Sequence, residues 1–110
     1  MSIKNAVLPI PLTSMDSVDI PVDYGDAINP DGLPESCQIL RLTNDAGVDV
    51  TISGDGVTDH EYLQSGDSLL IYAMYAKDRA AFQKGKKVYI KGAAGQSGAV
   101  YLSGYYQSFD

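Results

Sequence analysis

Cys37-Gln38-Ile39-Leu40-Arg41-Leu42-Thr43-Asn44-Asp45-Ala46-Gly47-Val48-Asp49-Val50-Thr51-Ile52-Ser53 holds two short apolar runs split by a connection with turn formers at both ends. In the second run Val48, Val50 and Ile52 alternate with polar residues, the period of a half-buried strand. In the first run Leu40 and Leu42 share one face while Ile39 and Arg41 share the other, so both faces are partly covered. Strand, turn at Asn44–Gly47 and strand read together as a β-hairpin.

The same punctuation extends outward. Val18, Ile20 and Val22 alternate with polar residues, and Pro21 assigns that segment to a sheet edge. From Asp23 to Pro34 the chain is dense in turn formers and reads as a long loop. Glu61 and its neighbours, Asp59 to Leu63, are too few to assign. Ser68 to Tyr75 is nearly all apolar, which suits a central strand covered on both sides, although periodicity alone does not distinguish it from a buried helix. Ala76 to Lys84 contains better helix formers and is compatible with one helical turn. Lys87–Lys91 and Ala99–Tyr106 alternate again, joined by the glycine-rich Gly92–Gly98, and read as a second hairpin.

Strands at this spacing predict an all-β fold, a jelly-roll-like β-sandwich or barrel of about 6–8 antiparallel strands with an extended N-terminal arm. The arm is residues 1–15 and the sandwich residues 16–110. Pro9 and Pro11 withhold ladder donors from the arm, while Val7, Leu8, Ile10 and Leu12 are apolar and need cover from the core or a partner.

Composition narrows function by exclusion. The chain has 110 residues, one domain's worth, with 45% hydrophobic and 20% charged residues, enough apolar surface for a core. Its net charge of −6 opposes a phosphate backbone, so no nucleic-acid partner is expected. Met1 to Leu12 lacks the pattern of a signal peptide and no run reaches membrane-spanning length, so a soluble protein made in the cytosol, with no membrane partner, is expected. Cys37 is the only cysteine, which rules out an intrachain disulfide.

No motif supplies chemistry. His60-Glu61 begins like the zinc-protease helix motif, but Gln64 stands where the second His belongs. Asp45, Asp49, Asp55, Asp59, Glu61 and Asp67 accumulate without the calcium-loop register, and solvated turns account for them. Lys84-Gly85-Lys86-Lys87 lacks the upstream glycine and following Ser or Thr of a phosphate loop. The glycines at 92, 95 and 98 are followed by strand formers, not by a dinucleotide-binding helix. No catalytic residue, metal ligand or cofactor is expected, and the chain reads as non-enzymatic. Eight Tyr, two Phe and no Trp make up the aromatic set. Tyr101 and Tyr105 read as core or cross-strand residues, and Tyr106 and Phe109 as contacts to a partner or a carbohydrate.

Four segments, Leu40-Arg41-Leu42-Thr43-Asn44, Val50 to His60, Lys87-Val88-Tyr89-Ile90-Lys91-Gly92 and Gly98-Ala99-Val100-Tyr101-Leu102-Ser103-Gly104-Tyr105-Tyr106, resemble small virion structural proteins of tailed bacteriophages over about two thirds of the chain. With its size and arm, the chain looks most like the capsid decoration (cement or staple) proteins of short-tailed phages of the epsilon15 type. That resemblance implies a jelly-roll-like domain on the capsid surface of the virion. Its partners would be the major capsid protein and copies of itself, as a homo-oligomer. A head–tail connector or tail-fibre attachment component, and a carbohydrate-binding β-sandwich module, are the alternative expectations.

Overall fold

The computed structural model describes residues 7–72 and 82–107. Eight strands occur there: β1 Val7–Pro9, β2 Thr13–Asp16, β3 Cys37–Asp45, β4 Val50–Ser53, β5 Glu61–Leu63, β6 Ser68–Tyr72, β7 Tyr89–Gly92 and β8 Ala99–Gln107. They form two antiparallel sheets, a β-sandwich. One is five-stranded, in the order β1-β8-β3-β6 with β2 also on β8, and the other is three-stranded, β5-β4-β7. Leu40 and Leu42 of β3 and Val100 and Leu102 of β8 bury against Val50 and Ile52 of β4 and Ile90 of β7.

Neither expected hairpin forms. β3 pairs with β6 and β8, while β4 pairs with β5 and β7, so residues 46–49 carry the chain from one sheet to the other. Likewise β7 lies in the small sheet and β8 in the large one, and Gly92–Gly98 is a second crossing beside the first. The reason lies in the apolar faces: Leu42 and Val50, or Ile90 and Val100, are both buried if their strands face each other across the core. The two crossings touch backbone to backbone. A Cβ at Gly92 would lie 2.7 Å from Asp49 O and one at Gly95 2.7 Å from Ala46 O, closer than side chains pack.

Two further expectations are corrected. Residues 17–19 form a 3₁₀ turn instead of a strand, with Ile20 buried but Val18 and Val22 exposed. Only Ser17 and Pro21 bond to the crossing segment, Ser17 N–H to Gly98 O (3.0 Å), Gly95 N–H to Ser17 O (2.9 Å) and Gly92 N–H to Pro21 O (2.8 Å), and these scattered bonds do not make a ladder. β6 is not a doubly covered strand: among the described residues it pairs with β3 alone, and Leu70 and Tyr72 face solvent. Ala73–Tyr75 and the candidate helical residues 76–81 lie outside the described residues. Phe82, the next residue, exchanges two backbone bonds with Cys37 (2.8 and 2.7 Å). The long loop 23–34 also contributes to the core, through Ala27, Ile28 and Leu33, because Asn29 fastens it by donating to Lys86 O (3.0 Å) and accepting from Val88 N–H (2.8 Å).

The proline-containing arm lies along β8. Val7–Pro9 pairs with Tyr105–Gln107 and Thr13–Asp16 with Ala99–Leu102, the register slipping by one residue between them. Ile10 donates its N–H to Gly104 O (3.0 Å), and its side chain, only 8% exposed, joins the core, whereas Val7 is 63% exposed. Ile10→Ala is therefore expected to cost about 2–4 kcal/mol, and Val7→Ser less than about 0.5 kcal/mol. Urea melts of the two variants check this, and equal losses would mean that Ile10 does not anchor the arm.

Candidate partner-docking face

Side chains alternate across the large sheet, so its register determines what the outer face presents. Ile39 is opposite Tyr72 on one side and Tyr105 on the other, and Tyr105 is opposite Pro9. One row thus crosses four strands as Tyr72, Ile39, Tyr105 and Pro9. The next row holds Leu70, Arg41 and Ser103, and the next Ser68, Thr43, Tyr101 and Ser14. Tyr72 is 55%, Leu70 47% and Tyr105 45% exposed. Arg41 is the only charged side chain in these three rows, on a chain of net charge −6. Tyr and Arg set among aliphatic residues, with Lys, Asp and Glu excluded, is the composition of protein–protein contact centres.

The expected contact residues fall on different sides of this sheet. Val7 is on the outer face with Pro9, continuing the patch beyond Tyr105. Leu8 and Tyr106 are paired with the opposite side-chain parity, and Tyr106 packs against the core while Leu8 stays exposed at the sheet edge. Ile10 is buried, Leu12 is exposed between β1 and β2, and Phe109 lies outside the described residues. Sequence reasoning missed Leu70, Tyr72 and Tyr105 as exposed residues of this candidate face. The signal was available for Tyr105, since Val100 and Leu102 facing inward put residues 101, 103 and 105 outward.

The remaining candidates are turn locks. Asp55 Oδ1 accepts from Val57 N–H and Thr58 N–H (both 2.8 Å) and from Ser53 Oγ–H (2.9 Å), and these bonds hold its carboxyl well below the usual carboxylate range. Ser53, Asp55 and His60 are the residue types of a hydrolytic triad, but the bonding differs. Ser53 donates directly to Asp55, and His60 Nδ1 accepts from Gly54 N–H (2.9 Å). Asp49 accepts from Tyr62 Oη–H (2.6 Å) and Ser65 N–H (2.9 Å), which lowers its pKa. Asp59 Oδ1 accepts from Tyr24 Oη–H (2.8 Å) and pairs with Lys91 (3.0 Å), and the Lys91 ammonium sits 4.7 Å from the centre of the Tyr24 ring. Burial first, then the Asp59 hydrogen bond and charge, push the Tyr24 phenol up to about 12.

A cleft of about 590 Å³ near the 3₁₀ turn is lined in part by Asp16, Asp19 and Asp26. Among the described residues no three His, Cys, Asp or Glu side chains converge as a metal-ligand set. Cys37 is buried and donates to Glu35 O (3.4 Å), and burial raises its thiol pKa, which keeps it a poor nucleophile. No helix in the described residues is long and apolar enough to cross a membrane. Comparison with protein-family models, curated proteins and solved structures gives no match, so function is read from the geometry of these faces.

Proposed function

We propose that this chain is a non-enzymatic bacteriophage virion structural protein, a capsid decoration protein that braces major capsid subunits through the outer face of its five-stranded sheet. The observation that carries the docking part is the row of Tyr72, Ile39, Tyr105 and Pro9 with Leu70 and Arg41 beside it, a charge-poor patch bounded at one end of the face by Asp45 and Asp16. The virion assignment rests on the four segments that resemble tailed-phage structural proteins. An open sheet surface four strands wide suits contact with another folded subunit better than capture of a small molecule, which calls for a concave site. Repetition over a lattice would turn modest single contacts into firm attachment.

The test is reconstitution of stripped particles with purified protein. Replacing Leu70 and Tyr105 together with Ser removes half-exposed apolar area worth roughly 1–2 kcal/mol at each position, and is expected to weaken particle binding about 100-fold. The particles are then expected to release their genome at lower temperature, because a ligand bound only to the intact shell stabilises it. Retained binding by the folded double variant would remove the sheet face from the interface. Labelled protein found only at the tail vertex would instead assign it to the head–tail junction.

A further inference from the structure

The outer face of the small sheet has a different chemistry. Tyr62 of β5, Thr51 of β4 and Lys91 of β7 form one row across it. Beside that row Thr51, Asp59, His60, Glu61 and Tyr62 line an open hollow of about 410 Å³.

The groups in this hollow are held in place before any ligand arrives. Tyr62 is exposed, and its hydroxyl is tied down to Asp49 (2.6 Å), which fixes the ring as a platform. Both bonds to Asp59, from Tyr24 and Lys91, end on Oδ1, so Oδ2 keeps its acceptor capacity. His60 is fixed by its own N–H to Ile52 O (2.9 Å) and by Gly54 N–H to its Nδ1 (2.9 Å). With Nδ1 an acceptor, the ring proton of the neutral imidazole sits on Nε2, which becomes a donor. Thr51 adds a hydroxyl that both donates and accepts.

A fixed carboxylate acceptor, an imidazole donor and a hydroxyl beside an exposed ring complement a molecule with vicinal hydroxyls on its edge and C–H groups on its face. Charge sets the class further. Asp59 and Glu61 line the hollow, and Asp49 holds the Tyr62 hydroxyl at its edge. Of the ammoniums nearby, Lys91 is paired with Asp59 and Lys86 donates to Gly54 O beside His60 (2.6 Å), so carboxylates dominate the lining itself. An anionic ligand would be repelled. We propose that this hollow binds a neutral saccharide, with Tyr62 stacking on the sugar face and Asp59 and His60 bonding its hydroxyls. The hollow lies on the sheet opposite the docking face, so both surfaces are usable at once. The inference does not depend on the virion assignment.

The experiment titrates the isotope-labelled full chain with methyl α-glucoside, methyl α-galactoside, methyl α-mannoside and N-acetylglucosamine, and separately with N-acetylneuraminic and glucuronic acids, following amide shifts. At least one neutral sugar is expected to shift the amides of Thr51 and of residues 59–62 saturably, with Kd on the order of 1 mM, and the acids are not. Tyr62→Ala is expected to weaken binding about tenfold or more, and Tyr62→Phe, which keeps the ring, to retain most of it. Thr51→Val provides a second loss-of-binding variant should Tyr62→Ala not fold. Arg41→Ala, on the opposite face, is expected to bind normally. Absence of saturable shifts from every neutral sugar, equal response to the acids, or shifts that survive both Tyr62→Ala and Thr51→Val would overturn the proposal.

Discussion

Gly98→Ala is expected to lower Tm by about 8–20 °C, whereas Gly47→Ala, at nearly the same backbone angle, is expected to lower it by only about 4–8 °C. Both glycines have positive φ, +82° and +76°, which costs an L-residue about 1–2 kcal/mol. They differ in the space around them. Nothing lies within 4 Å of a Cβ at Gly47, but a Cβ at Gly98 would fall inside the van der Waals envelope of Asp45 O, a backbone atom that no rotamer change can move. The added overpacking brings the total to about 2–5 kcal/mol. Gly98 also accepts from Ser17 N–H (3.0 Å) through its carbonyl, so a shift of the loop would loosen the 3₁₀ turn as well. Differential scanning calorimetry separates the two cases. Equal losses would mean that the two crossings between the sheets are not in backbone contact.

That contact explains why the strands were legible in the sequence while their partners were not. The alternation of Val48, Val50 and Ile52, or of Val100 and Leu102, reports only that one face of each strand is buried. It carries no information on whether the buried faces belong to one sheet or to two sheets packed together. Asn44-Asp45-Ala46-Gly47 has the residue types of a hairpin turn, and a crossing between sheets uses the same types. The distinction rests on Gly92 and Gly95 standing opposite Asp49 and Ala46, a relation between segments more than forty residues apart.

The candidate docking face was hidden for a related reason. Leu69 to Tyr72 is continuously apolar, and burial is the ordinary explanation of such a run. The structure leaves Leu70 and Tyr72 in solvent, on the same rows as Arg41 and Ile39. A strand apolar on both faces therefore has two explanations, a core on either side or a core on one side and a partner on the other. Tyr105 and Tyr106 show the limit of density arguments, since neighbouring aromatic residues in a strand point to opposite faces. Tyr105 looks out beside Pro9, and Tyr106 packs inward.

Asn44→Asp is expected to destabilise the protein by about 3–5 kcal/mol at neutral pH, and acid is expected to relieve part of that loss. The buried Asn44 amide donates from Nδ2 to Val48 O (2.8 Å) and Leu63 O (3.1 Å), while its Oδ1 accepts from Ala46 N–H (3.1 Å). It thereby ties the first crossing to the end of β5. The isosteric carboxylate keeps the bond from Ala46 but aims an oxygen at two carbonyl oxygens, with no donor between them. Burial and this repulsion raise the carboxyl pKa in the folded state above its unfolded value of about 3.9. The protonated acid can donate to one of the two carbonyls, so folding is favoured below about pH 3.9 relative to neutral pH and that advantage is lost as pH rises through the raised value. Asn44→Ala removes the same donors without adding charge, and its cost of about 2–4 kcal/mol is expected to stay constant with pH. Urea melts of both variants and the parent between pH 4 and pH 7, compared as differences from the parent, check the sign. A loss for Asn44→Asp that does not change with pH would mean that the substituted side chain reaches solvent, and that the crossing is held by the glycine contacts alone.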